Sequence, residues 1–216
     1  PMAQPQKTRA PLGALLVLGI VAGIGLIAVG AWWTHRTDPD SEQRFGGLMN
    51  SGRTYLEAGD ANRAVEVYQQ ARAMNPANPD VHVNLAIAYL AAGQASQAAL
   101  HAGEAAHLEP TTGAGHYLLG CSLLRQNQYS NAVQSLQVAK DTDRTINAVS
   151  FQLGRAYAGW GKFQDAADQF AEVTQFETNH PSAYYQLAQM HLRLGQREAA
   201  SAALATHQQV NAGKAQ

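Results

Sequence analysis

Residues 55–76 read YLEAGDANRAVEVYQQARAMNP, and residues 89–110 read YLAAGQASQAALHAGEAAHLEP. The two stretches begin 34 residues apart and agree mainly at small, aromatic and proline positions. A fixed period of this size is typical of stacked helical repeats, in which each unit is one supersecondary element. Extending the period in both directions divides the chain without insertion or deletion into five units, at residues 45–78, 79–112, 113–146, 147–180 and 181–214.

Two places in every unit hold a small residue. The eighth place is Gly or Ala, and the twentieth is Ala in all five units. Two helices packed as a hairpin have axes about 8–10 Å apart, and a larger side chain at their crossing overpacks at a cost of about 1–3 kcal/mol. We therefore predict that these places form the helix crossing. In chain order they are Gly52 and Ala64, Ala86 and Ala98, Gly120 and Ala132, Gly154 and Ala166, and Ala188 and Ala200.

The fifteenth place predicts the turn between the two helices of each unit. Gly and Asn tolerate the left-handed backbone conformation in which many helices end. Pro76 and Pro110 then close the second helices of the first two units, because proline cannot donate the next backbone hydrogen bond. The turn residues are Gly59, Gly93, Asn127, Gly161 and Gly195.

This pattern resembles the tetratricopeptide repeat family over residues 45 to about 212. The resemblance implies an all-α fold in residues 45–216, a helical solenoid of five helix-turn-helix repeats. It implies a groove, lined mostly by first helices, that holds a peptide or helix of another protein, and it does not imply an enzyme. The third unit departs from the pattern with Arg144 at the closing proline, and the fourth has Thr178 there, so we expect less regular junctions after these units.

The resemblance also implies which residues face the groove, namely those at the second, fifth, sixth, ninth, twelfth and thirteenth places. Arginine and aromatic residues are enriched at binding hot spots, and guanidinium groups suit a carboxylate-bearing ligand. The alternative is that the arginines only solvate the surface while the rings pack between neighbouring units. The candidates for partner binding are Met49, Arg53, Asn84, Ile87, Tyr117, Arg125, Phe151, Arg155, Tyr185, Gln189 and Arg193.

The sequence does not match one specialised type of tetratricopeptide repeat protein. Co-chaperones of this family bind the terminal carboxylate of a heat-shock protein through Lys, Arg and Asn residues at defined places. Of the residues at those places here, only Asn84 matches; the set is Met49, Arg53, Asn84, Ala114 and Leu118.

The N-terminal region contains a long apolar run. Residues 12–33 read LGALLVLGIVAGIGLIAVGAWW, 22 residues without an ionisable group. As a helix this run is about 33 Å long, enough to cross a hydrocarbon core of about 30 Å, so we predict a single transmembrane helix. The alternative is a cleaved signal peptide with its cleavage site near Ala31, but the run exceeds the usual apolar region of about 7–15 residues. Residues 1–11 would be a short tail and residues 34–44 a linker.

The membrane orientation is predicted from the flanking charges. Lys7 and Arg9 precede the run, whereas Arg36 and Arg44 follow it, so the positive charges are nearly balanced. A short cationic tail before the first helix favours a cytosolic N-terminus. We therefore expect a single-pass protein of the inner (cytoplasmic) membrane, with the repeat domain in the periplasm.

Small residues on one face of this run would allow another membrane helix to approach closely. The alternative is that these residues are incidental, because glycine is common in membrane helices. The candidates for membrane helix packing are Gly19, Ala22, Gly23 and Gly30.

Composition and motifs argue against other functions. The formal net charge of −1 provides no field to attract nucleic acid, and a single cysteine, Cys121, excludes an intrachain disulfide. His82 and His116 occupy equivalent places in adjacent units, and His191 and His207 could meet across one hairpin, but neither pair has the ligands that a metal site needs. Cys121 has no evident base partner, so we expect a packed thiol. We expect no catalysis, metal, cofactor or small-molecule substrate.

The parts together predict a membrane-anchored scaffold for protein–protein interaction. Its partners would be membrane-embedded or membrane-proximal proteins, and residues 12–33 would contact the lipid bilayer. The scaffold would assist the assembly of a membrane or envelope complex, or serve as an accessory subunit of one. The alternative is a membrane-tethered receptor, or chaperone-like protein, that binds client peptides.

Overall fold

A computed structural model describes residues 39–142 and 148–213, and all the regular structure in these residues is α-helical. Each first helix of a repeat is followed by its second helix, which gives five hairpins. The predicted all-α repeat solenoid is therefore confirmed. The helices are α1 (Pro39–Glu57), α2 (Ala61–Met74), α3 (Pro79–Ala91), α4 (Ala95–Leu108), α5 (Gly113–Arg125), α6 (Tyr129–Thr142), α7 (Ala148–Gly159), α8 (Phe163–Phe176), α9 (Pro181–Arg193) and α10 (Arg197–Gly213).

The first helix begins earlier than expected. Residues 39–44, which we expected to lie in the linker, are helical. Pro39 stands at the first helical position, where its missing N–H costs nothing, and Asp40 and Glu42 lie in the positively polarised first turn. Among the described residues, 47–142 and 148–213 belong to one compact unit, and residues 39–46 fall outside it.

The predicted transmembrane helix at 12–33, with Gly19, Ala22, Gly23 and Gly30, lies outside the described residues and stays a prediction. Among the helices that the structure describes, none is both long enough and apolar enough to cross a membrane.

The five turns have the predicted conformation. At the fifteenth place Gly59, Gly93, Gly161 and Gly195 have φ values between 75° and 81°, and Asn127 has φ 58°. The residue after the turn residue forms backbone hydrogen bonds with both helices of the hairpin. In the first repeat, the Asp60 N–H donates to the Tyr55 carbonyl (2.8 Å) and its own carbonyl accepts from the Ala64 N–H (3.1 Å), and the same two bonds recur in the other four repeats.

The predicted crossings are confirmed as well. The alanines at the twentieth place are at most 1% exposed, and the eighth place is buried in every repeat. A Cβ atom on Gly52 would lie 2.5 Å from the Tyr68 ring, and one on Gly154 would lie 2.7 Å from the Phe170 ring. In the first and fourth repeats these contacts leave no room for a side chain at the eighth place.

The junction between the third and fourth repeats is bridged by side chains. Residues 143–147, including Arg144, lie outside the described residues. On either side of them, the Lys140 ammonium of α6 forms an ion pair with Glu172 of α8 and donates to Gln169 Oε1 at 3.0 Å. The second helices of these repeats are thus joined.

Candidate protein-binding groove

The first helices of neighbouring repeats form a shared surface. Helix α3 contacts α5, and α5 contacts α7, so side chains from three consecutive repeats meet there. The predicted groove residues lie on the five first helices α1, α3, α5, α7 and α9, and none of the eleven is buried. Six are exposed to solvent and the remaining five are half-buried. The exposed ones are Arg53, Ile87, Arg125, Arg155, Tyr185 and Arg193.

One pocket lies on this surface, with a volume of about 190 Å³. It brings together Tyr117, Arg125 and Arg155, three of the predicted residues, and we call it the arginine pocket. Leucine side chains complete its apolar part, and Cys121 and Gln152 add polar groups. Its lining consists of Leu90, Tyr117, Leu118, Cys121, Leu124, Arg125, Gln152 and Arg155.

The polar groups of the arginine pocket lie close together. Arg155 Nη1 donates to Gln152 Oε1 at 2.9 Å, which holds the guanidinium beside the pocket. The Tyr117 hydroxyl lies beside the side chains of Gln152 and Cys121.

The arginine pocket carries positive charge and no negative charge. Burial, followed by the neighbouring Cys121, raises the pKa of Tyr117 to about 12, although Gln152 and Arg155 act in the opposite direction. Burial also raises the pKa of the Cys121 thiol, although Tyr117, Arg155 and Arg125 act in the opposite direction. Near neutral pH the phenol and the thiol are therefore both protonated, while the two guanidinium groups remain charged.

The aromatic candidates differ in their packing. Phe151 packs inward within its own repeat, with its ring 5.6 Å from Phe170 and 5.0 Å from His180. Tyr185 is 45% exposed, although its ring also lies 5.6 Å from His207. A role of these residues in binding stays a prediction.

The arginines also differ along the chain. Arg53 lies 3.9 Å from Glu57 in an ion pair, and the Arg193 guanidinium lies 5.8 Å from the centre of the Phe163 ring. Among the residues that the structure describes, neither Arg125 nor Arg155 has a carboxylate within ion-pair distance. Helices α5, α7 and α9 contain no Asp or Glu at all.

The histidine contacts differ from those that repeat spacing suggested. His82 meets His101 on the facing helix α4, not His116 in the next repeat, and their Nδ1 atoms are 3.1 Å apart. His207 Nδ1 lies 2.9 Å from the Pro181 carbonyl, whereas His191 Nδ1 lies 2.6 Å from Gln196 Oε1. His191 and His207 therefore bond to other partners.

Sequence reasoning missed the pairing of His82 with His101. The available signal was their position on the two helices of one hairpin, at the fourth and twenty-third places. Within residues 39–142 and 148–213, no cluster of three or more His, Cys, Asp or Glu side chains could hold a metal ion.

Comparisons with known proteins agree with this architecture. Models of the tetratricopeptide repeat match residues 55–101, 83–145 and 181–206, which together are more than half of the chain. The comparison with curated proteins gave no match.

Similar solved structures include MamA, residues 41 to the end, from Desulfovibrio magneticus RS-1. It has a TM-score of 0.73 and 16% identity over 79% of this chain and 96% of that chain. Pseudomonas aeruginosa PilF has a TM-score of 0.70 and 20% identity over 79% of this chain and 78% of that chain. YrrB, described as a TPR protein with an unusual peptide-binding site, has a TM-score of 0.64 and 22% identity over 76% and 84%.

At these identities the solved structures show a shared fold alone. The residues matched by the repeat models lie in the first, second, third and fifth hairpins. The chain therefore belongs to the tetratricopeptide repeat family.

Proposed function

We propose that this protein is a scaffold that binds a segment of a partner protein in its first-helix groove and holds that partner beside a membrane. The observation that carries the proposal is the arginine pocket, which is lined by residues of three consecutive repeats. Exposed guanidinium groups, a half-buried phenol and leucine side chains meet there. A concave site that combines an apolar floor with a few convergent polar groups is typical of binding rather than of simple solvation.

The membrane part of the proposal is supported by the apolar run at residues 12–33. Only residues 34–38 separate this run from the first residue of α1. At no more than about 3.6 Å per residue they reach about 18 Å, so the start of α1 would lie close to the bilayer. The partners would then be membrane-embedded or membrane-proximal proteins. We assign the protein to the inner membrane, with a cytosolic N-terminus and a periplasmic repeat domain, as an assembly factor or an accessory subunit.

The scaffold function is tested by purification of the full chain in mild detergent after chemical cross-linking, followed by mass spectrometry. We expect a partner at fixed stoichiometry that is lost when Arg125→Glu and Arg155→Glu are combined. Arg197→Glu changes the same charge on an exposed arginine of the second helix α10 and should retain the partner. A partner that is kept in both variants, or lost in both, would contradict binding at the groove.

The membrane assignment has its own test. We expect the full chain to resist extraction by alkaline carbonate, and a C-terminal alkaline phosphatase fusion to be active while a C-terminal green fluorescent fusion is dark. Release by carbonate would contradict the anchor, and the reverse pattern of reporters would contradict the orientation.

A receptor for mobile client peptides is the second candidate, and the exposure of Arg125 and Arg155 favours it. Contacts made by exposed charges are screened by salt. A client receptor would therefore give substoichiometric partners that leave as the salt concentration rises, whereas a permanent subunit would remain at fixed stoichiometry.

A further inference from the structure

We propose that the arginine pocket binds the side-chain carboxylate of an aspartate or glutamate within an acidic segment of the partner protein. This inference rests on the proposed groove function and names the chemistry that the groove recognises.

The size of the pocket limits what it can hold. Its volume of about 190 Å³ is below the range of about 300–1,000 Å³ that is usual for sites of whole small molecules. The pocket therefore fits one side chain of a larger partner, not a free metabolite.

The charge of the pocket selects the type of side chain. Arg125 and Arg155 carry two positive charges with no carboxylate within ion-pair distance among the described residues. The Tyr117 hydroxyl and the Gln152 amide, which also line the pocket, contain hydrogen-bond donors. An anionic side chain satisfies all these groups, whereas a cationic one would be repelled.

The environment makes such a contact stronger than an ordinary surface ion pair. Leu118 and Leu124 are 7% and 8% exposed and form an apolar wall, so charges at the pocket are screened less than charges in open solvent. The hydrogen bond from Arg155 to Gln152 fixes the guanidinium before a ligand arrives. Less conformational entropy is then lost on binding.

The surface beyond the pocket indicates a segment with several acidic residues. The next first helix, α9, presents the exposed Arg193 and, like α5 and α7, has no Asp or Glu. In the first repeat, by contrast, Arg53 is already paired with Glu57. The positive face is thus concentrated on the third, fourth and fifth repeats, where an acidic segment is complementary in charge.

The experiment uses the full chain in a nonionic detergent and three fluorescein-labelled twelve-residue peptides. The first consists of Glu-Ser-Leu triplets and ends in an amide, so that all its carboxylates are side chains. The second replaces every Glu with Gln, and the third is the Gln peptide with a free C-terminal carboxylate. Fluorescence anisotropy gives the affinities at about 50 mM and about 500 mM NaCl, on either side of the physiological screening range.

We expect the Glu peptide to bind at least about tenfold more tightly than both Gln peptides at low salt, and this preference to shrink at high salt. Combining Arg125→Gln with Arg155→Gln should abolish the preference, while Arg197→Gln should keep it. Circular dichroism and the thermal midpoint establish that each variant is folded.

Equal binding of the amidated Glu and Gln peptides would overturn the proposal, as would a preference that survives the double substitution. Preferential binding of the third peptide would assign the pocket to a chain end and also overturn it. The cross-linking experiment distinguishes a failure of the carboxylate assignment from a failure of the proposed groove function. If a partner is lost with the double Arg→Glu variant but the Glu peptide has no advantage, the carboxylate assignment fails while the groove function stands.

Discussion

At the scale of the residue, side-chain size at the eighth place of each repeat is matched to the residue that faces it. Gly52 faces the ring of Tyr68, which is 1% exposed and has no room to move. In the second repeat the facing residues are both small, and Ala86 packs in one cluster with Ala102. Different repeats thus fill the helix crossing with different pairs of side chains.

We predict that Gly52→Ala lowers the free energy of unfolding by about 1–2 kcal/mol. The new methyl group would collide with the Tyr68 ring, and this overpacking outweighs the gain of up to about 1 kcal/mol from replacing a helical glycine. Gly47→Ala is the matched control, because Gly47 lies in the same helix with nothing within 4 Å of its Cβ position. Urea unfolding followed by circular dichroism should show opposite shifts, and equal shifts would contradict the crossing.

At the scale of the element, the five hairpins share the same backbone hydrogen bonds at their turns but differ in the side chains packed between their helices. The hairpin of α3 and α4 holds two histidines, His82 and His101, that are 5% and 4% exposed. His82 Nε2 lies 2.9 Å from the Pro76 carbonyl and must donate its proton there. The Nδ1 atom of neutral His82 then accepts, so His101 Nδ1 is the donor between the rings.

We predict that this pair makes the protein less stable in acid. Burial, followed by His82 and Arg72, lowers the pKa of His101 to about 4 from the ordinary value near 6.5. Below pH 6.5 the unfolded chain binds a proton that the folded chain does not, so the contribution of His101 is complete above 6.5. It is lost as the pH falls toward 4, by up to about 3 kcal/mol.

Unfolding free energies measured between pH 7 and pH 4 check this prediction. The His101→Gln variant should show a shallower pH dependence than the unmodified chain. His107→Gln, on the exposed side of the same helix, should leave the slope unchanged. Parallel curves for all three proteins would contradict the assignment.

The same hairpins show how far sequence reasoning reached. Turn and crossing residues were predicted correctly, because a left-handed conformation and a close helix approach each admit few residue types. The contact between His82 and His101 was not predicted. It depends on how α3 and α4 are rotated about their axes, and spacing along the chain does not encode this rotation. The arginine pocket was predicted only as separate residues. Its enclosure depends on contacts among three repeats, and the Gln152 bond to Arg155 was not anticipated.

At the scale of the whole molecule, each repeat contacts only its neighbours. Within residues 47–142 and 148–213, contacts between helices run from one helix to the next, between consecutive first helices, and, through the pair of Lys140 and Glu172, between the second helices α6 and α8. The stability of such a solenoid is a sum of repeat terms and interface terms, and a local change spreads only to adjacent repeats. At the interface between the third and fourth repeats, Lys140 forms an ion pair with Glu172. The two side chains are 26% and 33% exposed.

We predict that Glu172→Gln weakens this one interface by about 1 kcal/mol, because the Lys140 ammonium loses its charged partner at a half-buried site. Hydrogen exchange of the full chain, followed by mass spectrometry, should show less protection in α6 to α9 and unchanged protection in α1 to α4. Asp168→Asn removes an exposed carboxylate from the same helix α8 and should change neither region. Since the arginine pocket draws on the third and fourth repeats, Glu172→Gln should also weaken binding of the Glu peptide, by no more than a fewfold. A uniform loss of protection across all five repeats would show that the solenoid unfolds as one unit and would contradict nearest-neighbour coupling.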